Sequence, residues 1–284
     1  MSADKRIAPP EEILRLFQSA GKIYADQGPV VGSTLDDIDD KSLKRLIFNK
    51  FRIKFGSINF DDLLVWPMDK FLATVDKNIG LSQILENMKL CEGNSLTLAG
   101  LLLIGANPQK YKPLFSIKCI SFVGNEIGGP QFRDKEDLFE GNLSMLYEKA
   151  MSFVIRNLRK VQVEKSFNSL GELEIPKDVL EEILVNSLVH RDYYISSSIQ
   201  VFIFDDRIEV ISPGKLPNTL NEDNVKYYTS IARNPIIYSN CAFAGLPFTG
   251  IGSGIPRAMN LYPSINLLND QVNERFTVTI PRSQ

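Results

Sequence analysis

The chain has 284 residues, 44% of them hydrophobic and 23% charged, which is the make-up of an ordinary globular protein of one large or two modest domains. No apolar run reaches the ~18 residues of a membrane span, and the polar start MSADKRIAPPEEI lacks a signal-peptide core. A net charge of −2 excludes a uniformly basic nucleic-acid binder. Cys91, Cys119 and Cys241 are far apart and odd in number, so neither a disulfide framework nor a metal-ligand spacing is present. With a single histidine, a zinc site is disfavoured too. A reducing, cytoplasmic location without membrane contact is the expectation.

A short helix is predicted from Pro10 to about Ala20, then a loop through DQGPVVGSTLDD. The acidic run Asp36–Asp40 precedes KSLKRLIFNKFRIKF, where Leu43, Leu46, Ile47 and Phe51 recur at helical spacing. Lys41, Lys44, Arg45, Lys50, Arg52 and Lys54 lie in that stretch with no acid among them, so a DNA contact is one reading. A solvated amphipathic helix with acids at its N-terminus is the simpler one. LSQILENMKL repeats the helical pattern, and CEGNSL is a turn. TLAGLLLIGANPQKY is a buried helix or strand, FSIKCISFVG a strand, and NLSMLYEKAMSFVIRNLRKV a long helix.

From Pro176 the order sharpens. A helix runs over 178–190 on a stripe of Val179, Leu180, Ile183, Leu184 and Leu188. SIQVFIFDDRIEVISPG is a hairpin turning at Asp205–Asp206. The polar segment 215–233 comes next, and then a helical RNPIIYSNCAFAG. The glycine loop GIGSGIPRAMNLY opens a short helix, and ERFTVTIPR closes the chain as a strand. The fold expected is α+β. Helices layer on a mixed, mostly antiparallel sheet in the second half, and a mainly helical region over residues 1–75 precedes a domain at 76–284 whose core spans about 140–284.

Glu182, Asn186 and His190 stand four apart, so they share one helix face. A carboxylate beside a carboxamide is suited to Mg²⁺, which takes hard oxygen ligands, and to activating water. Spacing alone favours an ordinary solvated face. Gly250, Gly252 and Gly254 before a helix suit phosphate oxygens, although a tight turn explains them as well. The Lys-Ser/Thr pair of a Walker loop is lacking. HRDYY is no kinase loop, because Ser197 stands where the required Asn would be.

Taken in order and spacing, EILVNSLVHRDY, IFDDRIEVISPGKLP, ARNPIIYSN and GIGSGI resemble one family. It is the RecG-like, or divergent AAA, ATPase-like C-terminal region of bacterial and archaeal transcriptional regulators. The resemblance extends from about Leu81 and implies a Bergerat-type (GHKL) fold binding ATP or another nucleotide with Mg²⁺. It implies Glu182 as the water-activating carboxylate and Asn186 as the Mg²⁺ ligand. Gly250, Gly252, Ser253 and Gly254 would form the phosphate loop, and Ser212 and Gly214 the first glycine box. An Asp that accepts from the adenine amino group is usual where Ser212 stands, so base selectivity is expected to weaken. Relatives usually carry a Schlafen/AlbA-type domain, and this sequence resembles the stretch just downstream of that domain. The function expected is a transcriptional regulator or DNA-associated protein with a divergent nucleotide module, with DNA and a second copy of the chain (a homodimer) as partners. The alternatives are an active Mg²⁺-ATPase and a scaffold that has lost its ligand. Helicase activity is not implied, for want of a Walker motif.

Overall fold

Capping side chains decide where the first helices begin. Asp39 accepts from Ser42 N at 2.7 Å and opens α1 (Asp40–Lys50). The short helices α2 (Phe60–Leu63), α3 (Met68–Val75) and α4 (Leu81–Asn87) come after it. The hairpin β1 (Cys91–Glu92) and β2 (Ser95–Leu96) is next, then α5 (Leu98–Ile104), whose cap Thr97 accepts from Gly100 N at 3.1 Å. All seven residues of α5 are buried, which is why its sequence carries no amphipathic period. The protein is seen here as a computed structural model describing residues 9, 13, 16–17, 23–127, 131–161, 171–217, 220–226, 231–248, 250 and 254–282. The helix expected from Pro10 to Ala20 falls almost wholly outside them. Among the described residues no helix is long and apolar enough to cross a membrane.

The remaining elements are β3 (Ile117–Phe122), β4 (Phe132–Phe139), α6 (Leu143–Asn157), the short pair β5 (Lys160–Val161) and β6 (Glu172–Leu173), and α7 (Lys177–His190). After these come β7 (Ile199–Ile203), β8 (Arg207–Pro213), α8 (Pro235–Asn240), α9 (Gly254–Leu261), β9 (Asn266–Asp270) and β10 (Arg275–Pro281). Six strands make one mixed sheet in the order β4-β3-β7-β8-β10-β9. Only β3 and β7 pair in parallel; the other four junctions are antiparallel. The α+β arrangement expected from the sequence is the one observed.

Register fixes the two faces of the sheet. Val210 stands opposite Val201 and Val278, and Ile208 opposite Ile203 and Ile280. These residues meet the buried stripe of α7, including Leu180, Ile183 and Leu184. Each such aliphatic side chain contributes ~1.5–3 kcal/mol on burial. Buried residues from the N-terminal helices, such as Leu43, Ile47 and Phe71, belong to the same continuous cluster. On the reverse face Ile120, Phe122, Phe202 and Phe204 form a small separate cluster, with Phe122 and Phe204 stacked at 5.1 Å. β7 is therefore apolar on both sides.

Two buried polar contacts join distant segments. Arg282, just past β10, donates to Glu174 Oε1 at 2.7 and 3.0 Å and to the Phe204 carbonyl at 2.5 Å. Asp26, in the turn Ala25–Gln27, is wholly buried. Its Oδ2 accepts from Ile236 N and Ile237 N at 2.7 and 3.0 Å, so it caps α8 from some 210 residues away. Its Oδ1 meets no donor among the described residues. Burial lifts this carboxyl from 3.8 to about 6, against the pull of the two amides.

Candidate functional site

The site is built on α7. Its apolar stripe faces the sheet, so the helical repeat turns Glu182 and Asn186 together toward α9. Asn186 Nδ2 donates back to the Glu182 carbonyl at 2.6 Å, which leaves its second N–H and the amide oxygen for other partners. The Glu182 carboxylate is buried and ion-paired with Arg257 of α9. Gly254, the first residue of α9, lies directly against both side chains. A Cβ there would come within 2.5 Å of Asn186 Nδ2 and of Glu182 Oε2, so any larger residue would have to push those two side-chain ends aside.

The C-terminal end of α7 explains the residue at 212. The last carbonyls of a helix have no partner within it. Here Ser212 Oγ donates to the Ser187 carbonyl (3.2 Å), Tyr193 OH to that of Leu188 (2.9 Å) and Asn234 Nδ2 to that of Val189 (2.9 Å). Ser212 is thus a helix-capping donor from β8. A carboxylate in its place would face the negative end of the helix with nothing to donate. Pro213, the next residue, accepts from Asp192 N at 2.8 Å, and Gly214 comes after it with φ 101°. A side chain at 214 would meet Asp192 and Arg233 at 2.5 Å.

Between α7, the floor strands β8 and β10 and the segment after Gly214 lies a cavity of about 110 Å³. Glu182, Asn186, Ser212, Gly214, Gly250 and Gly254 all line it. Gly252 and Ser253 lie outside the described residues. Val210, Val278, Phe276 and Ile183 give it an apolar floor, and Leu216, Leu220 and Ile231 an apolar wall. The volume admits several waters. It is below the ~300–1,000 Å³ of open small-molecule pockets.

Other lining residues escaped the sequence reading. Lys215 and Arg233 put cationic side chains on the wall. Arg233 donates to the Lys215 carbonyl at 2.6 Å and lies 4.0 Å from Asp192. Asp192 thus faces Arg233 and accepts from the backbone of Tyr194 (2.9 Å). Arg191 is itself fully buried, donating to the carbonyls of Ile195 and Ser197. His190 does end α7, as expected, but its ring also lines the cavity. It packs against Tyr238 and Phe248 at 5.8 and 6.3 Å, and Tyr238 OH donates to Gly250 O at 2.5 Å. Burial first, and the Arg233 charge second, push the imidazole down to about 4, so it is uncharged at neutral pH.

The basic stretch does not form one surface. α1 stops at Lys50, and a 3₁₀ turn covers Arg52–Phe55. Lys41, Lys50, Arg52 and Lys54 are exposed. Lys44 is buried, its ammonium donated to the carbonyls of Leu64 (2.9 Å) and Trp66 (2.7 Å). Arg45 is half-buried against Ser144 and pairs with Glu148 at 3.5 Å. Burial of the Lys50 side chain, which bonds Asn240 Oδ1 at 3.2 Å, lowers its pKa below the ordinary lysine value. The geometry thus leaves the exposed charge to Lys41 and to the end of the stretch.

Comparison with known proteins agrees with an ATPase-like domain in the second half. Residues 196–280 match the family described as "Putative ATP-dependent DNA helicase recG C-terminal". The match begins after α7, so Glu182 and Asn186 lie upstream of it. None of the curated proteins matches the chain. Among solved structures, the crystal structure of the DIP2311 protein from Corynebacterium diphtheriae is similar, with a TM-score of 0.61 at 18% identity over 95% of this chain and 49% of that one. The chain spans about half the length of that protein, and at this identity the likeness is one of fold. The likeness to the ATPase-like RecG C-terminal family therefore rests on the β7–β10 region, with the Glu182–Asn186 face of α7 packed beside it.

Proposed function

We propose that the chain is a nucleotide-binding module of a DNA-associated regulator. The observation that carries this is the convergence of Glu182 and Asn186 on Gly254, with Lys215 and Arg233 on the wall of the same cavity. The residues fit such a ligand. Val210, Val278, Phe276 and Ile183 offer an apolar slot for a flat base. The hydroxyl of Ser212 spends its proton on the helix, so only its lone pairs are left for a base amino group. Lys215 and Arg233 suit phosphate oxygens, and the Asn186 amide oxygen suits Mg²⁺. The metal, when bound, would neutralise phosphate charge.

The state of Glu182 sets a condition on turnover: its pair with Arg257 must first open. A carboxylate already paired with a guanidinium is a poor acceptor for a proton from water. The test is a melting experiment with Mg²⁺ and ATP. A ligand that binds only the native state at a hundred times its Kd adds about 2.7 kcal/mol. No shift at millimolar nucleotide refutes the proposal and leaves a scaffold. If ATP is hydrolysed and Glu182→Ala abolishes turnover while keeping binding, the ATPase reading replaces the binding one.

A further inference from the structure

Glu182 and Arg257 are unequal partners. The carboxylate side chain is 6% exposed, whereas the guanidinium is 47% exposed; Glu182 lines the cavity, and so does Pro256, the residue before Arg257. A buried anion is thus neutralised by a cation that solvent, or a solute, can reach. Arg257 lies three residues into α9, whose first residue, Gly254, touches both Glu182 and Asn186. An anionic group seated at the Gly254 end of the cavity would come within reach of the same guanidinium.

We propose that Arg257 is a specificity-determining residue that exchanges Glu182 for the terminal phosphate of a Mg²⁺-bound nucleoside triphosphate. This rests on the nucleotide-binding reading of the site. The exchange is chemically balanced: taking Arg257 away would strand a buried carboxylate, a costly state. A divalent cation beside Asn186 supplies the replacement charge. Phosphate and metal must therefore arrive together. A nucleoside diphosphate lacks the group that competes for Arg257 and leaves the pair with Glu182 closed.

The experiment is calorimetric titration of the full chain with Mg·ATP and Mg·ADP, for the wild type, Arg257→Gln and Arg257→Lys. Arg257→Lys keeps the charge beside Glu182, whereas Arg257→Gln leaves that buried carboxylate unneutralised and should melt lower. Melting curves check that each variant is folded at the titration temperature. The wild type should prefer the triphosphate by roughly tenfold or more, as expected for one charge-assisted contact. Arg257→Gln should bring ATP affinity down to that of ADP and move ADP by less than about twofold. Arg257→Lys, with the charge but not the fork, should fall between. If Arg257 merely clamps α9, both nucleotides shift equally and their ratio is unchanged, which overturns the inference while the binding reading stands. Equal binding by the wild type does the same. If the wild type binds neither nucleotide, both fall together.

Discussion

Asp26→Asn should make the protein's stability less dependent on pH, and the size of the change comes from the structure. Asp26 is wholly buried, with one oxygen receiving two backbone amides and the other receiving no donor. Its carboxyl is raised from 3.8 to about 6. The folded state therefore holds this proton more tightly than the unfolded chain. The stabilisation is fully present below the unfolded value and is lost as pH rises through about 6. At ~1.4 kcal/mol for each tenfold change in proton affinity, the full effect is roughly 3 kcal/mol. About 2 kcal/mol of it is developed by pH 4, where the unfolded carboxyl is itself partly ionised. Asparagine keeps one acceptor for the amides of Ile236 and Ile237 and does not titrate. Urea melts of both proteins at pH 4 and pH 7 should show the stability difference, variant minus wild type, about 2 kcal/mol more in favour of the variant at pH 7. Every other titrating group is common to both and cancels, as does the cost of the unpartnered amide nitrogen. A difference that stays constant across this range would mean that Asp26 titrates as a solvated carboxyl, and the argument from burial would be wrong.

Contacts elsewhere in the fold set three further outcomes. Arg282→Ala strands the buried Glu174 carboxylate and should cost ~3–5 kcal/mol in a denaturant melt, whereas Glu174→Gln with Arg282→Met should cost much less. Gly100→Ala sets a methyl 1.9 Å from the Leu90 carbonyl oxygen, a backbone atom that cannot swing aside, and should cost about 3 kcal/mol or more in the same assay. If the protein binds DNA, Glu substitutions at Lys41, Arg52 and Lys54 should each flatten the salt dependence of binding by about one ion. Lys44→Ala should leave that dependence alone and lower stability by ~2 kcal/mol instead, through its two carbonyl bonds.

The elements that were legible in the sequence, and those that were not, differ for physical reasons. α7 was legible from its apolar stripe and β8 from its alternation, while β7 and β10 showed through their runs of β-branched and aromatic residues, β7 being apolar on both faces. β4 was not: FRDKEDLF is an edge strand whose charges are satisfied sideways, Asp134 by Arg156 at 2.7 Å and Asp137 by Lys135 at 2.9 Å. β9, the opposite edge, hides in NLLND for the same reason. Helices α2 and α3 are too short to establish a period. In the site, Glu182 and Asn186 were visible because one helix spaces them. Arg257, Lys215 and Phe248 come from other segments, and only the closed chain brings them near. In the basic stretch, the sequence did not separate exposed charges from a buried one. Its charges are contiguous in sequence, but the turn of α1 carries Lys44 to the side of Leu43 and Ile47, against the carbonyls just past α2.

The hydrogen bond from Ser212 to Ser187 also bears on how this site can change over evolutionary time. Exchanging Ser212 for aspartate removes the only donor described for the Ser187 carbonyl and sets a negative group against it. Asp would be tolerated only after the end of α7 had found another donor. The end of α7 thus depends on this serine, and a carboxylate at the cavity floor becomes tolerable only together with a second change that supplies another donor.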